Sequence, residues 1–397
     1  MHIRHLFSTP ARTFLAGVAL ATLVVAGATA QKKTVDPQTG KEQREAVEVG
    51  GRLEQVGPTA WRVVPQNTPY DGWIAANKAK LPYWEGIVIP DGRVEPLRPW
   101  PDMGTGVTGL YIRMADYQII DGWLLEIPPH GSTKPLKHMF EAGLYMFGGP
   151  GHTIIQQEGR QPQRIDWKYR SLFAIPLNAK YQHFNDGDAP VRLLAVTSFP
   201  FVINSTNSEK FAYDNPFSFT NRYNGQEDFL KKSVHTGPNQ TVTNFVADAL
   251  EFKLDSYDRR GKGTTNMHWR MSSNTMVDFH VSEMPSGEYK RAHRHSSDAF
   301  ILLLSGEGYS LTWPEGQYDK RVRVNWTEGT IFVPPIYWYH QHLNPGKDSA
   351  RYLAMNAPTL VSRLGLRFED QIEPDLTEIA REFKAEVAKR AAPIGGK

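Results

Sequence analysis

Hydrophobic and polar positions in this chain change over in short bursts rather than along long helical stripes. Between Gln118 and Phe201 the apolar bursts are IIDGWLLEI, GLYMF, HTIIQQ, SLFAIPL and VRLLAVTSF, separated by Gly, Pro and Asn-Asp turns. Between Thr275 and Met355 the rhythm returns as MVDFHVSEM, AFILLLSG, GYSLTW, GTIFVPP and RYLAM. Short runs bounded by turn residues predict strands, and their number predicts an all-β sandwich or barrel. Ala60–Asp116, rich in Trp, Tyr, Pro and Gly, reads as an irregular arm packed on the strands beyond it. The stretch 204–274 reads as a crossing between two β units. Asp375–Arg390 places Leu376, Ile379, Phe383 and Val387 at helical spacing, which predicts an amphipathic C-terminal helix covering a sheet or a subunit seam. The expected organisation is a leader and arm over 31–117, β units over 118–203 and 275–360, and an extension over 361–397.

The two β units are copies of one another. His138-x2-Glu141-Ala142-x6-Gly149-Pro-Gly151 matches His295-x2-Asp298-Ala299-x6-Gly306-Glu-Gly308, each position offset by 157. Further on, Pro176-x4-Tyr181-Gln-His183-Phe-Asn185 matches Pro335-x4-His340-Gln-His342-Leu-Asn344, offset by 159. A repeat of this length with so few strands per copy predicts a duplicated small barrel.

The N-terminus reads as an address. Met1–Arg12 carries Arg4 and Arg12 without an acid, Thr13–Gly27 is apolar, and Ala28-Thr29-Ala30 supplies small residues before Gln31. That run is short for a span of about 20 residues and predicts a cleaved export signal over 1–30. The expected location is therefore periplasmic or secreted, with no stable membrane insertion after cleavage near Ala30. A net charge of +3 spread evenly over 397 residues gives no nucleic-acid surface. The chain has no cysteine, so any metal must be held by His, Asp or Glu.

Chemistry gathers in the second copy. His293 and His295 stand two apart, on one face of a strand. His340 opens a later strand that a barrel can bring alongside. Three neutral imidazoles suit one divalent transition metal with open positions. The first copy has Leu136 where the second has His293, and Tyr181 where it has His340, leaving His138 with Glu141 nearby. That pair is a poor metal site. His342 and Asn344 recur as His183 and Asn185 and read as strand or turn hydrogen bonding. Asp298 is a possible fourth ligand, although its parity opposes that of the histidines. Arg291, which shares the parity of His293, could pair a substrate carboxylate. Tyr337 and Trp338 could stack on a substrate.

Gly287-x5-His293-Arg-His295 followed by Gly306, and Gly329-x5-Pro335-x4-His340-x3-Asn344, resemble the two half-motifs of the cupin signature. The duplication makes the chain resemble a bicupin, which implies two double-stranded β-helix (jelly-roll) barrels. The position four residues after the second histidine, where most metal-binding cupins carry a carboxylate, is Ala299. A three-histidine site of this kind, with TIFVPPIYWYHQH over Thr330–His342, looks like the gentisate and 1-hydroxy-2-naphthoate 1,2-dioxygenases. That resemblance implies Fe(II), dioxygen and an aromatic hydroxy acid or phenol as small-molecule substrate, and the packing surface offered by the N-terminal arm and the C-terminal helix points to a homo-oligomer. Copper, manganese and zinc stay open, because a chain folding outside the cytoplasm takes the metals present there. The alternative is a non-catalytic cupin that binds a metal or small ligand, since fold alone does not settle function.

Overall fold

The computed structural model describes residues 67–372 and 376–391, and the backbone of four short strands between residues 33 and 65. The signal-like segment 1–30 and most of the leader lie outside the described residues. No helix among the described residues is long and apolar enough to cross a membrane.

The strands of the first copy are β1 (Thr108–Met114), β2 (Asp121–Ile127), β3 (Ala142–Met146), β4 (Gly151–Gln156), β5 (Gln163–Trp167), β6 (Leu172–Ile175), β7 (Lys180–Asn185) and β8 (Val191–Thr197). Those of the second copy are β9 (Thr265–Arg270), β10 (Asp278–Met284), β11 (Glu288–Tyr289), β12 (His293–His295), β13 (Ala299–Ser305), β14 (Glu307–Trp313), β15 (Val322–Thr327), β16 (Ile331–Phe332), β17 (Tyr339–Asn344), β18 (Ala350–Asn356) and β19 (Glu369–Gln371). Each copy has one large and one small sheet. The large sheets run β6-β3-β8-β2-β1 and β16-β13-β18-β10-β9, and the small ones β5-β4-β7 and β15-β14-β17-β12-β19. Equivalent strands occupy equivalent places, as the repeat requires.

Period-two alternation builds the core from both sides of each large sheet. In β13, Ile301 and Leu303 point into the second barrel, while Phe300, Leu302 and Leu304 join an apolar layer between the barrels. Leu110, Ile112, Leu124, Leu194 and Val196 of the first barrel meet Trp269, Phe279, Val281, Leu353 and Met355 of the second there. Each large side chain buried in this way contributes roughly 1.5–3 kcal/mol. Two glycines let the layer close: a Cβ on Gly143 would stand 2.3 Å from the ring of Phe279, and one on Gly122 would stand 3.0 Å from that of Phe300.

Three segments reach further than their sequence suggests. Within 204–274, read as a crossing, β9 is an integral strand beside β10. In its sequence TNMHWR only Met267 and Trp269 are apolar, and they join the inter-barrel layer. The alternate residues Asn266 and His268 line a polar cavity, so the strand lacks the usual hydrophobic signature. The stretch read as an arm also supplies β1, an integral strand of the first barrel beside β2, and its Val88–Ile89 pairs with β16 of the second barrel. In the extension, β19 pairs with β12 and widens the small sheet. The C-terminal helix, Thr377–Ala391, lays Ile379 and Phe383 against Tyr309, Leu311, Trp313 and Leu343 on the outer face of that sheet.

Candidate metal centre

β12 is three residues long and lies between β17 and β19, with His293 directly opposite His340. The ring centroids of His293 and His340 are 4.3 Å apart, those of His295 and His340 4.9 Å, and those of His293 and His295 6.0 Å. One ligand atom from each histidine lies within 4.8 Å of the other two. Three residues separated by up to 47 positions thus converge on one point inside the second barrel.

The hydrogen bonds around the rings choose their tautomers. His293 Nδ1 meets the Arg291 carbonyl at 2.9 Å, His295 Nδ1 the Ser297 carbonyl at 2.9 Å, and His340 Nδ1 the Trp338 carbonyl at 3.3 Å. A carbonyl only accepts, so each Nδ1 carries the proton and each Nε2 keeps its lone pair. Burial pushes His295 down to about 4 and holds His293 and His340 well below the ordinary imidazole range. The nearby Arg260 guanidinium pushes the same way. At neutral pH the trio is uncharged and unprotonated at Nε2, which is the state a transition metal binds. The donor set therefore fits a divalent metal.

His342 lies beside this trio with its ring centroid 5.5 Å from that of His340, but it is wired differently. Its Nδ1 is 2.7 Å from Ser310 Oγ, and Trp326 Nε1 donates to the same oxygen at 3.0 Å. Trp can only donate, and His342 Nδ1 is the acceptor within reach of the hydroxyl, so the Ser310 proton goes there and the His342 proton sits on Nε2. His342 is a hydrogen-bond donor toward the cavity rather than a fourth ligand. The first barrel repeats the arrangement with His183, Thr153 and Trp167. Asn344 and Asn185 likewise share one role: each amide donates to three backbone carbonyls, at Met284, Pro285 and Asp348 in one copy and at Ile127, Pro128 and Ala189 in the other.

A cavity of about 130 Å³ opens beside the three rings. Its wall mixes apolar side chains with polar ones, the latter including Arg260, Asn266, His268, His280, Lys290 and Tyr352. His268 also lines the neighbouring open depression with Arg270 and Arg363, so polar surface continues outward. In the first barrel the same space is filled: His138 Nε2 bonds the Tyr181 hydroxyl at 2.8 Å, and the His138 ring stacks on Phe140 at 3.8 Å.

The remaining candidates fall elsewhere. Asp298 faces the inter-barrel layer, not the rings, as its parity implies. It is completely buried, and one carboxylate oxygen accepts from the amides of Ile119 at 2.9 Å and Ile120 at 3.2 Å. Its counterpart Glu141 accepts in the same way from Thr275, Met276 and Val277 at the entry to β10. The repeated acid is a clasp between barrels rather than a metal ligand. Arg291 does not line the cavity. Glu288 pairs with Asn344 and Tyr289 with Leu343, yet His293 pairs with His340, so one extra residue is inserted between them. This bulge flips the inward parity, turning Lys290 inward and Arg291 out. Tyr337 packs on Phe368 at 5.7 Å and Trp338 supplies the carbonyl to His340; neither lines the cavity. The arginine that faces the rings is Arg260, held by Glu369 and Gln371. Its only trace in the sequence is the pair Arg259–Arg260.

No family model and no curated protein matches the chain. Among solved structures, a salicylate 1,2-dioxygenase variant from Pseudoaminobacter salicylatoxidans in complex with gentisate superimposes with a TM-score of 0.50 at 10% identity, over 71% of this chain and 81% of that one. The fold is a bicupin. Oxalate decarboxylase from Bacillus subtilis (TM-score 0.45, 13% identity, 70% of this chain and 78% of that one) and vicilin from Corylus avellana (0.46, 10%, 77% and 95%) also match. The bicupin architecture therefore stands on both the repeat and the superposition, with the three-histidine site in the second barrel.

Proposed function

We propose that this bicupin is an exported mononuclear-metal oxidoreductase, a dioxygenase that acts on a hydroxy acid or phenol, aromatic by its resemblance to the gentisate-type enzymes. His293, His295 and His340 hold the metal, with Fe(II) favoured by that resemblance. The observation that carries the reading is the trio of Nε2 lone pairs, each freed by an Nδ1–H···O=C bond, at the wall of a polar cavity. The metal, when bound, supplies Lewis acidity and electron transfer between substrate and dioxygen. The chain's own residues do the rest. The backbone carbonyls of Arg291, Ser297 and Trp338 hold the rings in orientation, His342 presents a proton at Nε2, and the cationic wall receives a negative charge. The apolar inter-barrel layer and the C-terminal helix brace the two sheets around the cavity.

The test is metal analysis of the purified protein followed by oxygen uptake with gentisate, salicylate and 1-hydroxy-2-naphthoate. His293→Ala and His340→Ala are each expected to abolish metal retention, whereas Tyr181→Phe in the first barrel leaves it intact. Retention of metal by both histidine variants would refute the site. Full metal occupancy without oxygen consumption on any phenolic acid would leave a binding cupin instead.

A further inference from the structure

The cavity wall carries more positive than negative charge, and among the described residues one of its cations has no counter-ion. Lys290 is only 4% exposed. Its Nζ donates to Tyr352 Oη at 2.8 Å and to Ser282 Oγ at 3.2 Å, and it lies 5.1 Å from the centroid of the Tyr352 ring. Among the described residues no carboxylate comes within ion-pair distance of it. The arginines at the cavity, Arg259, Arg260 and Arg367, all share the single carboxylate of Glu369. A buried charge without a partner is costly, and such groups persist where a ligand completes them. Beside Lys290 an acceptor also lacks a partner: Asn266 Oδ1 is buried on the cavity wall with no hydrogen bond among the described residues. Asn266 Nδ2 donates to the same Ser282 oxygen at 2.7 Å, which ties it to the lysine in one polar cluster.

An ammonium without a carboxylate, next to a carbonyl oxygen without a donor, is complementary to a molecule bearing a carboxylate and a hydroxyl. We propose that Lys290, aimed by Tyr352 and Ser282, is the specificity-determining contact for the carboxylate of a hydroxy-acid ligand, with Asn266 Oδ1 receiving its hydroxyl. This rests on reading the cavity as the substrate site and adds the group that selects the substrate. The bulge before β12 makes it possible, because without that inserted residue the position would face away from the cavity.

The experiment is calorimetric titration of the zinc-loaded full-length protein, which binds ligand without turnover. Salicylate is compared with salicylamide, and lactate with lactamide, so that an aromatic and an aliphatic acid are each paired with their uncharged analogues. In the wild type one acid is expected to bind about thirtyfold more tightly than its amide, the size of a buried charge contact. The acid pair that shows the preference identifies the ligand's frame as aromatic or aliphatic. Lys290→Met should remove the preference while zinc content and melting behaviour confirm a folded, loaded protein. Tyr352→Phe, which keeps the charge and loses its guide, should reduce the preference without abolishing it. An unchanged preference in Lys290→Met, or equal binding of acid and amide in both wild-type pairs, overturns the proposal. The oxygenase reading fails separately: carboxylate preference in a protein that consumes no oxygen defeats that reading alone, and oxygen uptake without carboxylate preference defeats only the role of Lys290.

Discussion

Asp298 and Lys290 show what single residues reveal and conceal. The triad is legible in the sequence because its histidines lie at fixed spacings around Gly306, Gly329 and Pro335, and strand parity places His293 and His295 together. Parity also argues against Asp298, and its carboxylate does face the other barrel. Lys290 is not legible, since the single-residue bulge between Tyr289 and His293 inverts the parity that points to Arg291. The clasp gives a direct prediction. Asp298→Ala leaves two buried amides without an acceptor, at about 1–3 kcal/mol each. Asp298→Asn keeps an acceptor oxygen in the same place and should lose much less. Chemical denaturation should rank the variants wild type, Asn, Ala, with metal content equal in all three folded proteins; loss of metal in Asp298→Asn would return this residue to the coordination sphere.

Elements show the same division. Strands with apolar alternation on a closed core are readable, and the C-terminal helix is readable from Ile379 and Phe383. Thr265–Arg270 is not, because alternate side chains face a polar cavity, and Glu369–Gln371 is not, because it pairs at a sheet edge with no apolar side chain at all. The helix does more than cover a surface. It packs on β14 and β17, the latter bearing His340, and ties to the neighbouring strand through Arg323–Glu386 at 2.9 Å and Arg321–Glu382 at 2.9 Å. The Arg323–Glu386 pair is bidentate and its guanidinium lies 3.6 Å from the centroid of the Tyr309 ring, yet these partly exposed contacts contribute less than the apolar seam. Phe383→Ala should destabilise the protein by about 3–5 kcal/mol, while Arg323→Ala should cost about 1–2 kcal/mol. Urea unfolding of the two variants separates the contributions, and equal effects would contradict this division.

At the scale of the molecule, two barrels with one ancestral plan have divided their labour. Contacts between them come in reciprocal pairs, as around a pseudo-twofold axis: Phe300 over Gly122 and Phe279 over Gly143, Asp298 on the entry to β2 and Glu141 on the entry to β10. Their interiors have diverged, and with them their response to acid. In the second barrel burial lowers six imidazoles: His268 to about 4, His295 to about 4, His342 to about 3, and His280, His293 and His340 well below the usual value. In the first barrel only His138 and His183 are lowered so, to about 4 and about 3. An unfolded imidazole takes its proton near pH 6.5, and the folded one refuses it until the lower value. Between those limits the unfolded chain binds more protons, and stability falls as pH falls, by about 1.4 kcal/mol for each pKa unit of depression. Buried carboxylates act oppositely: burial raises Asp121 and Asp298 to about 7 and raises Glu141, so acid relieves their desolvation. The first barrel sets two imidazoles against Asp121 and Glu141; the second sets six against Asp298. Metal-free protein taken from pH 7 to pH 4.5 should therefore lose hydrogen-exchange protection in β14 and β17 before β4 and β7. Bound metal should delay that loss, because it competes with protons for three of the six rings. Earlier opening of the first barrel, or no effect of metal on the order, would mean that the imidazoles of the second barrel do not carry its acid sensitivity.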